Sequence, residues 1–233
     1  MAKARKASKK RVARRGHKRA AKKLAPKAAK GAFSDMNFVG IFELWKAALI
    51  KPEKIISDQA SKAGYAKGVL MLCLAGALYA VISAVLTANF FVLALGPAMF
   101  AVMVPLVVLV GAAVVFAFAK ILGGNGGLRE QFYLSAVLLS PIILLMACAK
   151  VLYIIPIIGF LFEAAVVFVI EVYALYQITL ALRSVHDFST IRAILSWFLP
   201  LLIVTIIVLV FALIVVAAIL ALVPAAVLVG VLS

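Results

Sequence analysis

Two carboxylates inside an otherwise apolar stretch are the first residues of this chain that could do chemistry. Glu163 and Glu171 share one face of a predicted helix with Gln177, because at about 100° per residue all three fall within a sector of about 120°. A carboxylate at membrane depth is costly and usually faces the interior of a helix bundle. Two roles are open: an ion or proton pathway, or a hydrogen bond to the carbonyl of Val137, which Pro141 leaves without its helical donor.

The structural role is favoured, because a relay needs several acids and bases at membrane depth. The nearest cation is Lys150, which can reach Glu163 or extend outward to the membrane surface. His17 lies in a basic segment and His186 in a predicted loop, and neither has Cys or acidic residues at metal-ligand spacing. The sequence therefore predicts no enzyme, and no metal or cofactor.

The N-terminal segment could bind polyanions. Residues 1–31 hold 14 of the 24 Lys and Arg residues and no acid, whereas the rest of the chain holds 10 basic and 8 acidic residues. This composition predicts a disordered tail over residues 1–35. Anionic lipid is the favoured partner of the tail and nucleic acid is the rival. The candidate contacts are Lys3, Arg5, Lys6, Lys9, Lys10, Arg11, Arg14, Arg15, Lys18, Arg19, Lys22 and Lys23.

The rest of the chain is too apolar for a soluble protein. Apolar residues make up 67% of the chain, and a helical membrane crossing needs about 20 of them. Breakers divide the apolar stretch: Gly96-Pro97 is predicted to close the first hairpin, and the glycine cluster at 123–127 to form a flexible turn. The sequence predicts an all-α, five-helix transmembrane bundle over residues 66–222, with an apolar C-terminal tail at 223–233. Its five spans are predicted at about 66–91, 99–122, 132–153, 157–182 and 194–222.

The distribution of Lys and Arg between the connections predicts the orientation. The basic tail and the connections after the second and fourth spans carry cations, whereas the opposite connections hold only Lys150. By the positive-inside rule the N-terminus is cytoplasmic and the C-terminus lies outside the cell membrane. Residues 36–62 are predicted to form an amphipathic interfacial segment, since apolar residues recur there every three to four positions. The alternative is that this apolar face packs on the bundle.

The order of several short motifs resembles one family. Pro52-Glu53-Lys54-Ile55 precedes the first span, the glycine cluster leads into a charged helix start, and Pro156-Ile157-Ile158-Gly159 precedes the fourth span. The most distinctive stretch, YQITLALRSVHDFST at 176–190, closes that span. Over about residues 38–213 the chain resembles the Yip family of Ypt/Rab-interacting membrane proteins, which have one five-span domain with the N-terminus inside.

The resemblance implies a non-catalytic membrane scaffold that binds lipid and partner proteins, or further copies of itself. The chain is closer to the prokaryotic members of the family. Members that bind small GTPases have an Asp-Leu-Tyr-Gly-Pro type motif ahead of the first span, and this chain lacks it there. A small GTPase is therefore not expected as a partner. Two alternatives remain: a small transporter or permease component that uses Glu163 and Glu171, and a membrane tether that binds nucleic acid through the basic tail.

Overall fold

The computed structural model describes residues 38–155 and 158–222. Within these ranges the chain forms seven α-helices and one 3-10 helix, and no strand. The predicted all-α fold is confirmed, whereas the basic tail at 1–35 and the C-terminal tail at 223–233 lie outside the described residues. The elements are α1 Phe38–Ile50, α2 Pro52–Ala60, α3 Tyr65–Leu86, α4 Phe90–Ile121, α5 Leu128–Ala149, the 3-10 helix Lys150–Ile154, α6 Gly159–His186 and α7 Thr190–Leu222.

Five of these helices, α3 to α7, are long and apolar enough to cross a membrane. They correspond one to one with the five predicted spans. At 1.5 Å per residue, the 32 residues of α4 extend for about 48 Å, well beyond a hydrocarbon core of about 30 Å. Such helices emerge from the bilayer at their ends or cross it at a tilt. The five helices are those of a multi-pass membrane protein.

The first hairpin turns earlier than predicted. Gly96 and Pro97 lie inside α4, so the prediction that they close the hairpin is wrong. The turn is formed by residues 87–89, where Ala88 adopts a left-handed conformation with φ 49°. Asn89 then caps α4, because its side chain accepts a hydrogen bond of 3.0 Å from the backbone N–H of Val92. A proline within a transmembrane helix is tolerated because neighbouring groups can satisfy the carbonyl that it frees.

Helix α5 lies at the centre of the bundle and packs against α1, α3, α4 and α6. Helix α3 packs most extensively against α4, and Gly76 lies at a close contact between the two helices. A Cβ atom at Gly76 would collide with the backbone carbonyl of Phe100. Small residues permit such close helix contacts, which hold helices together in lipid through van der Waals packing. Helix α7 is peripheral and contacts α4 and α6 near its start.

Helices α1 and α2 pack on the bundle along the half of α6 that ends at His186. Ile41, Trp45 and Ala48 of α1 are buried in one apolar cluster with residues of α5 that include Leu134 and Leu138. Ile41, Trp45 and Ala48 of this segment therefore pack on protein, as in the alternative considered above, whereas Phe42 remains 47% exposed. We call this end of the bundle the junction end: it holds α1, α2, the connection at 122–127 and the connection at 187–189. The opposite hairpin end holds the connection at 87–89 and the 3-10 helix Lys150–Ile154.

Candidate functional site: the junction end of the bundle

Buried hydrogen bonds fix the corner between α1 and α2. Pro52 lacks an N–H, so the carbonyl of Ala48 loses the donor that a continuing helix would supply. Gln177 of α6 replaces it: its Nε2 donates to the Ala48 oxygen over 3.0 Å, and its side chain is fully buried. The hydroxyl of Tyr173, one turn earlier, donates to the carbonyl of Leu49 over 2.5 Å. The end of α1 is therefore capped by α6.

A second buried link joins α4, α5 and α6. Gln131 of α5 donates through Nε2 to the carbonyl of Ala112 in α4, over 2.9 Å. Its amide oxygen then faces Nε2 of His186, at 2.9 Å. Because this oxygen can only accept, the imidazole must donate, which places a proton on Nε2. The other ring nitrogen, Nδ1, is buried and has no hydrogen-bond partner among the described residues. The ring stacks on Phe188, with centroids 5.4 Å apart.

The glycine cluster packs against the end of α6. A Cβ at Gly124 would lie 2.6 Å from Nδ1 of His186, and one at Gly126 would collide with the backbone carbonyl of Val185. Only Gly123, with φ +86°, needs glycine for its backbone conformation. The cluster forms the predicted turn between two helices, and close packing against α6 requires glycine at two of its positions. Two stretches singled out in the sequence, 123–127 and 176–190, meet at this contact.

Charged side chains surround a groove between α2 and the end of α6. Its volume is about 440 Å³, within the range of small-molecule sites. Glu53 of α2, with Arg183 and Asp187 at the end of α6, supplies the charges. Asp187 adopts a left-handed conformation, with φ 55°, where the backbone turns out of α6. All three side chains are exposed to solvent.

The two predicted intramembrane acids lie apart from this site. Glu171 is exposed, so the prediction that it faces the bundle interior and bonds the Val137 carbonyl is wrong. Gln177 shares the predicted face but is fully buried, because α1 covers that part of α6. The residue of α6 that does donate to a carbonyl freed by a proline is Gln177, and its acceptor is the Ala48 carbonyl, which Pro52 leaves without a helical donor.

Glu163 belongs to a polar cluster at the hairpin end. It is partly buried and lies close to the hydroxyl of Tyr153, which is also near Lys150. The Lys150 ammonium lies 5.6 Å from the centre of the Tyr79 ring, within cation–π distance. The predicted neighbourhood of Lys150 and Glu163 thus forms through an intervening tyrosine. Helix α6 keeps Glu163 about 12 Å along its axis from Glu171, at 1.5 Å for each of eight residues.

Sequence reasoning missed the roles of Gln131 and His186. Both were visible as polar residues next to apolar helical stretches, but Gln131 donates to the Ala112 carbonyl, a backbone group with no signature in the sequence, and His186 bonds Gln131 in turn. The twelve basic residues at 3–23 lie outside the described residues. In the described ranges, no cluster of three His, Cys, Asp or Glu residues could hold a metal ion. Cys73 and Cys148 are free thiols.

Comparison with known proteins gives no relative from which a role could be carried over: no family model, no curated protein and no solved structure matches the chain.

Proposed function

We propose that this protein is a non-catalytic, Yip-type membrane scaffold that holds a polycationic arm at the cytoplasmic membrane surface, where the arm binds anionic lipid and the junction end receives partner proteins. The five apolar helices are the membrane anchor. The arm is residues 1–35, which end just before α1.

The observation that carries this proposal is the fixed corner between α1 and α2. Gln177 and Tyr173 bind the last carbonyls of α1, and the Tyr133 hydroxyl of α5 donates to Gln59 of α2 over 3.0 Å. Hydrogen bonds from two spans thus hold both short helices on the bundle. The arm precedes α1 in the chain, so holding α1 on the bundle keeps the arm attached beside the membrane anchor. Each basic residue near the lipid headgroups contributes about 1 kcal/mol of attraction.

The distribution of charge at the two ends supports the proposed orientation. Exposed cations gather at the junction end, at the corner before α2, in α2 and at the adjoining ends of α4, α5 and α7. They include Lys51, Lys54, Lys120, Arg129 and Arg192. The hairpin end carries Lys150 among the described residues. The positive-inside rule then assigns the junction end to the cytoplasm. A reporter active only in the cytoplasm should be silent when fused after Ser233 and active when fused before Met1; the reverse pattern would refute the orientation.

The proposed Yip-type assignment draws support from where its motifs lie. The segments 52–55, 123–127 and 176–190 are far apart in the chain but adjoin one another at the junction end. The transporter alternative has less support, because Glu171 is exposed on the side of the bundle and Glu163 lies at the hairpin end. No described acid and base line up through the bundle interior.

Vesicle capture tests the lipid-binding part of the proposal. The full chain is reconstituted in neutral phosphatidylcholine nanodiscs and mixed with fluorescent vesicles that contain phosphatidylglycerol or only phosphatidylcholine. Anionic vesicles should co-sediment with the nanodiscs, and binding should fall steeply as salt rises, since exposed charges are screened over about 10 Å at 0.1 M. Replacing the twelve basic residues at 3–23 with Gln should abolish capture. Replacing Lys62 and Lys67 with Gln is the control and should not.

Duplex DNA added as a competitor separates the two polyanions. The arm should stay on vesicles rich in phosphatidylglycerol when DNA is present at equal phosphate concentration. Release of the vesicles under that condition would refute the lipid assignment and favour a nucleic-acid tether.

A further inference from the structure

The groove between α2 and the end of α6 combines an apolar floor with a charged rim. Ile56, Leu180 and Phe188 form the floor, and Phe188 is itself supported by stacking on His186. Ser57 and Ser184 lie among the three charged residues of the rim. The floor and the rim come from α2, the end of α6 and the connection that follows it, and the hydrogen bond from Tyr133 to Gln59 holds α2 on the bundle. The groove is therefore a built feature of the fold.

The rim carries one cation and two anions. Among the described residues, Arg183 forms no ion pair with Glu53 or Asp187, so its guanidinium and both carboxylates are available to a ligand. The hydroxyl of Ser57 donates to the carbonyl of Lys54 over 2.8 Å, which leaves its oxygen free to accept. The rim thus offers one strong donor and three acceptors. A ligand with a single negative charge would be repelled by the two carboxylates, whereas a ligand with both an anionic and a cationic group satisfies all of them.

The depth of the groove in the membrane indicates where such a ligand would come from. Arg183 is the first charged residue after Glu171 along α6, and the helix ends three residues later at His186. Charges at the end of an apolar span lie at the level of the lipid headgroups. A zwitterion that belongs to a lipid is concentrated at this depth, and its glycerol backbone can rest on the apolar floor.

We propose that this groove binds the headgroup of a zwitterionic aminophospholipid, with the phosphate on Arg183 and the primary ammonium between Glu53 and Asp187. A guanidinium matches a phosphate through two parallel N–H donors. A primary ammonium has three N–H donors, which match two carboxylates and the oxygen of Ser57. A trimethylammonium group has no N–H donor, so the groove distinguishes phosphatidylethanolamine from phosphatidylcholine. This site does not include the basic arm. Its rim carries two anions and one cation, whereas the arm carries cations and few acids.

Native mass spectrometry tests the proposal on the full-length chain with the twelve basic residues at 3–23 replaced by Gln and stripped of lipid in detergent, so that phosphatidylglycerol bound to the arm does not mask the groove. The probes are phosphatidylethanolamine, phosphatidylcholine and phosphatidylglycerol with identical acyl chains. Phosphatidylethanolamine should bind about tenfold more tightly than either other lipid, the ratio expected for charge-assisted hydrogen bonds. Arg183→Gln and Glu53→Gln should each remove about tenfold of that affinity. Both residues are exposed, and far-UV circular dichroism checks that the variants remain helical.

Two controls use exposed charges that do not line the groove, Arg192 in α7 and Asp58 in α2. Arg192→Gln and Asp58→Asn should leave the affinity within about twofold, as is usual for isolated surface charges. Equal binding of phosphatidylethanolamine and phosphatidylcholine would overturn the proposal, as would a preference for phosphatidylglycerol. Binding insensitive to both groove variants would overturn it too.

Two further outcomes would assign the groove to another occupant. If soluble phosphoethanolamine competes as well as the lipid does, the ligand is a soluble zwitterion and the lipid assignment is wrong. If phosphatidylethanolamine binds only after deletion of residues 1–31, the basic arm occupies the groove and the proposal is also wrong. These readouts are independent of anionic vesicle capture, so failure of the arm proposal and failure of the groove proposal are distinguishable.

Discussion

Helices α5 and α7 are both long enough to cross a membrane, yet the fold uses them in opposite ways. In the most apolar 18-residue window of the span that contains α5, 61% of the residues are buried inside the protein, against 0% in α7. Helix α7 has the higher mean hydropathy of the two. From residue 201 to residue 219 every side chain of α7 is exposed. The more apolar helix therefore contributes least to the protein interior.

Apolar character therefore does not decide which helix forms the core of a membrane protein. Lipid tails solvate leucine and valine as well as a protein interior does, so burying them gains little transfer free energy. What favours burial is close packing and the satisfaction of polar groups. Helix α5 buries Gln131, Ser140 and Tyr133, and α7 has few polar residues beyond its first turns.

The largest difference between the two helices should come from truncating a leucine in each. Leu138→Ala in α5 removes a fully buried side chain, and we expect a loss of about 2 kcal/mol or more in the free energy of unfolding, because a cavity remains. Leu213→Ala in α7, where the side chain is 61% exposed, should cost less than about 0.5 kcal/mol. Unfolding in mixed micelles, titrated with SDS and followed by far-UV circular dichroism, measures both. Equal losses would show that α7 packs as tightly as α5.

The next effect should come from adding one methyl group at a close contact. Gly126→Ala places a Cβ against the backbone carbonyl of Val185, which cannot move without shifting α6, so we expect a loss of about 1–3 kcal/mol. Gly111→Ala in α4 is the control, since a Cβ there has nothing within 4 Å. It should be neutral or slightly stabilising because alanine favours a helix. The same SDS titration measures both changes in the free energy of unfolding. No loss with Gly126→Ala would show that the 122–127 connection does not pack tightly against α6.

A smaller effect separates two polar residues that share a predicted face of α6. Gln177→Leu leaves the carbonyl of Ala48 without a donor, and we expect a loss of about 1 kcal/mol, typical of a hydrogen bond between helices in a membrane protein. Glu171→Leu should not destabilise the protein, because Glu171 is exposed. Thermal unfolding of the two variants gives the ranking. A greater loss of stability with Glu171→Leu would show that Glu171 faces the bundle interior, as the sequence predicted.

The smallest effects should come from hydroxyls that bond only within their own helix. Ser140 of α5 donates to Ala136 over 2.6 Å, and Thr205 of α7 donates to Leu201 over 2.9 Å. Each hydrogen bond lies within one turn, so Ser140→Ala and Thr205→Val should each change stability by less than about 0.5 kcal/mol. Circular dichroism melts of both variants check this. A large loss for Ser140→Ala alone would show that burial strengthens even a local hydrogen bond.

The sequence by itself determined the fold class and the five spans, because length and apolar composition meet a requirement that the bilayer imposes on each helix separately. The sequence also singled out a glycine cluster and a distinctive segment at 176–190, but it did not predict the contact between them. Helical periodicity assigned Glu171 and Gln177 to one face of a helix, but it could not predict which of the two is buried.

Only the tertiary structure decided which part of that face is covered. Helix α1 lies over Gln177 and leaves Glu171 exposed, because the carbonyl freed by Pro52 must find a donor and Gln177 is the residue that reaches it. The acceptors that fix Gln131 and Gln177 are backbone carbonyls of other helices. Every residue carries a carbonyl, so no sequence pattern marks which one will be left free and brought within 3.0 Å of an amide.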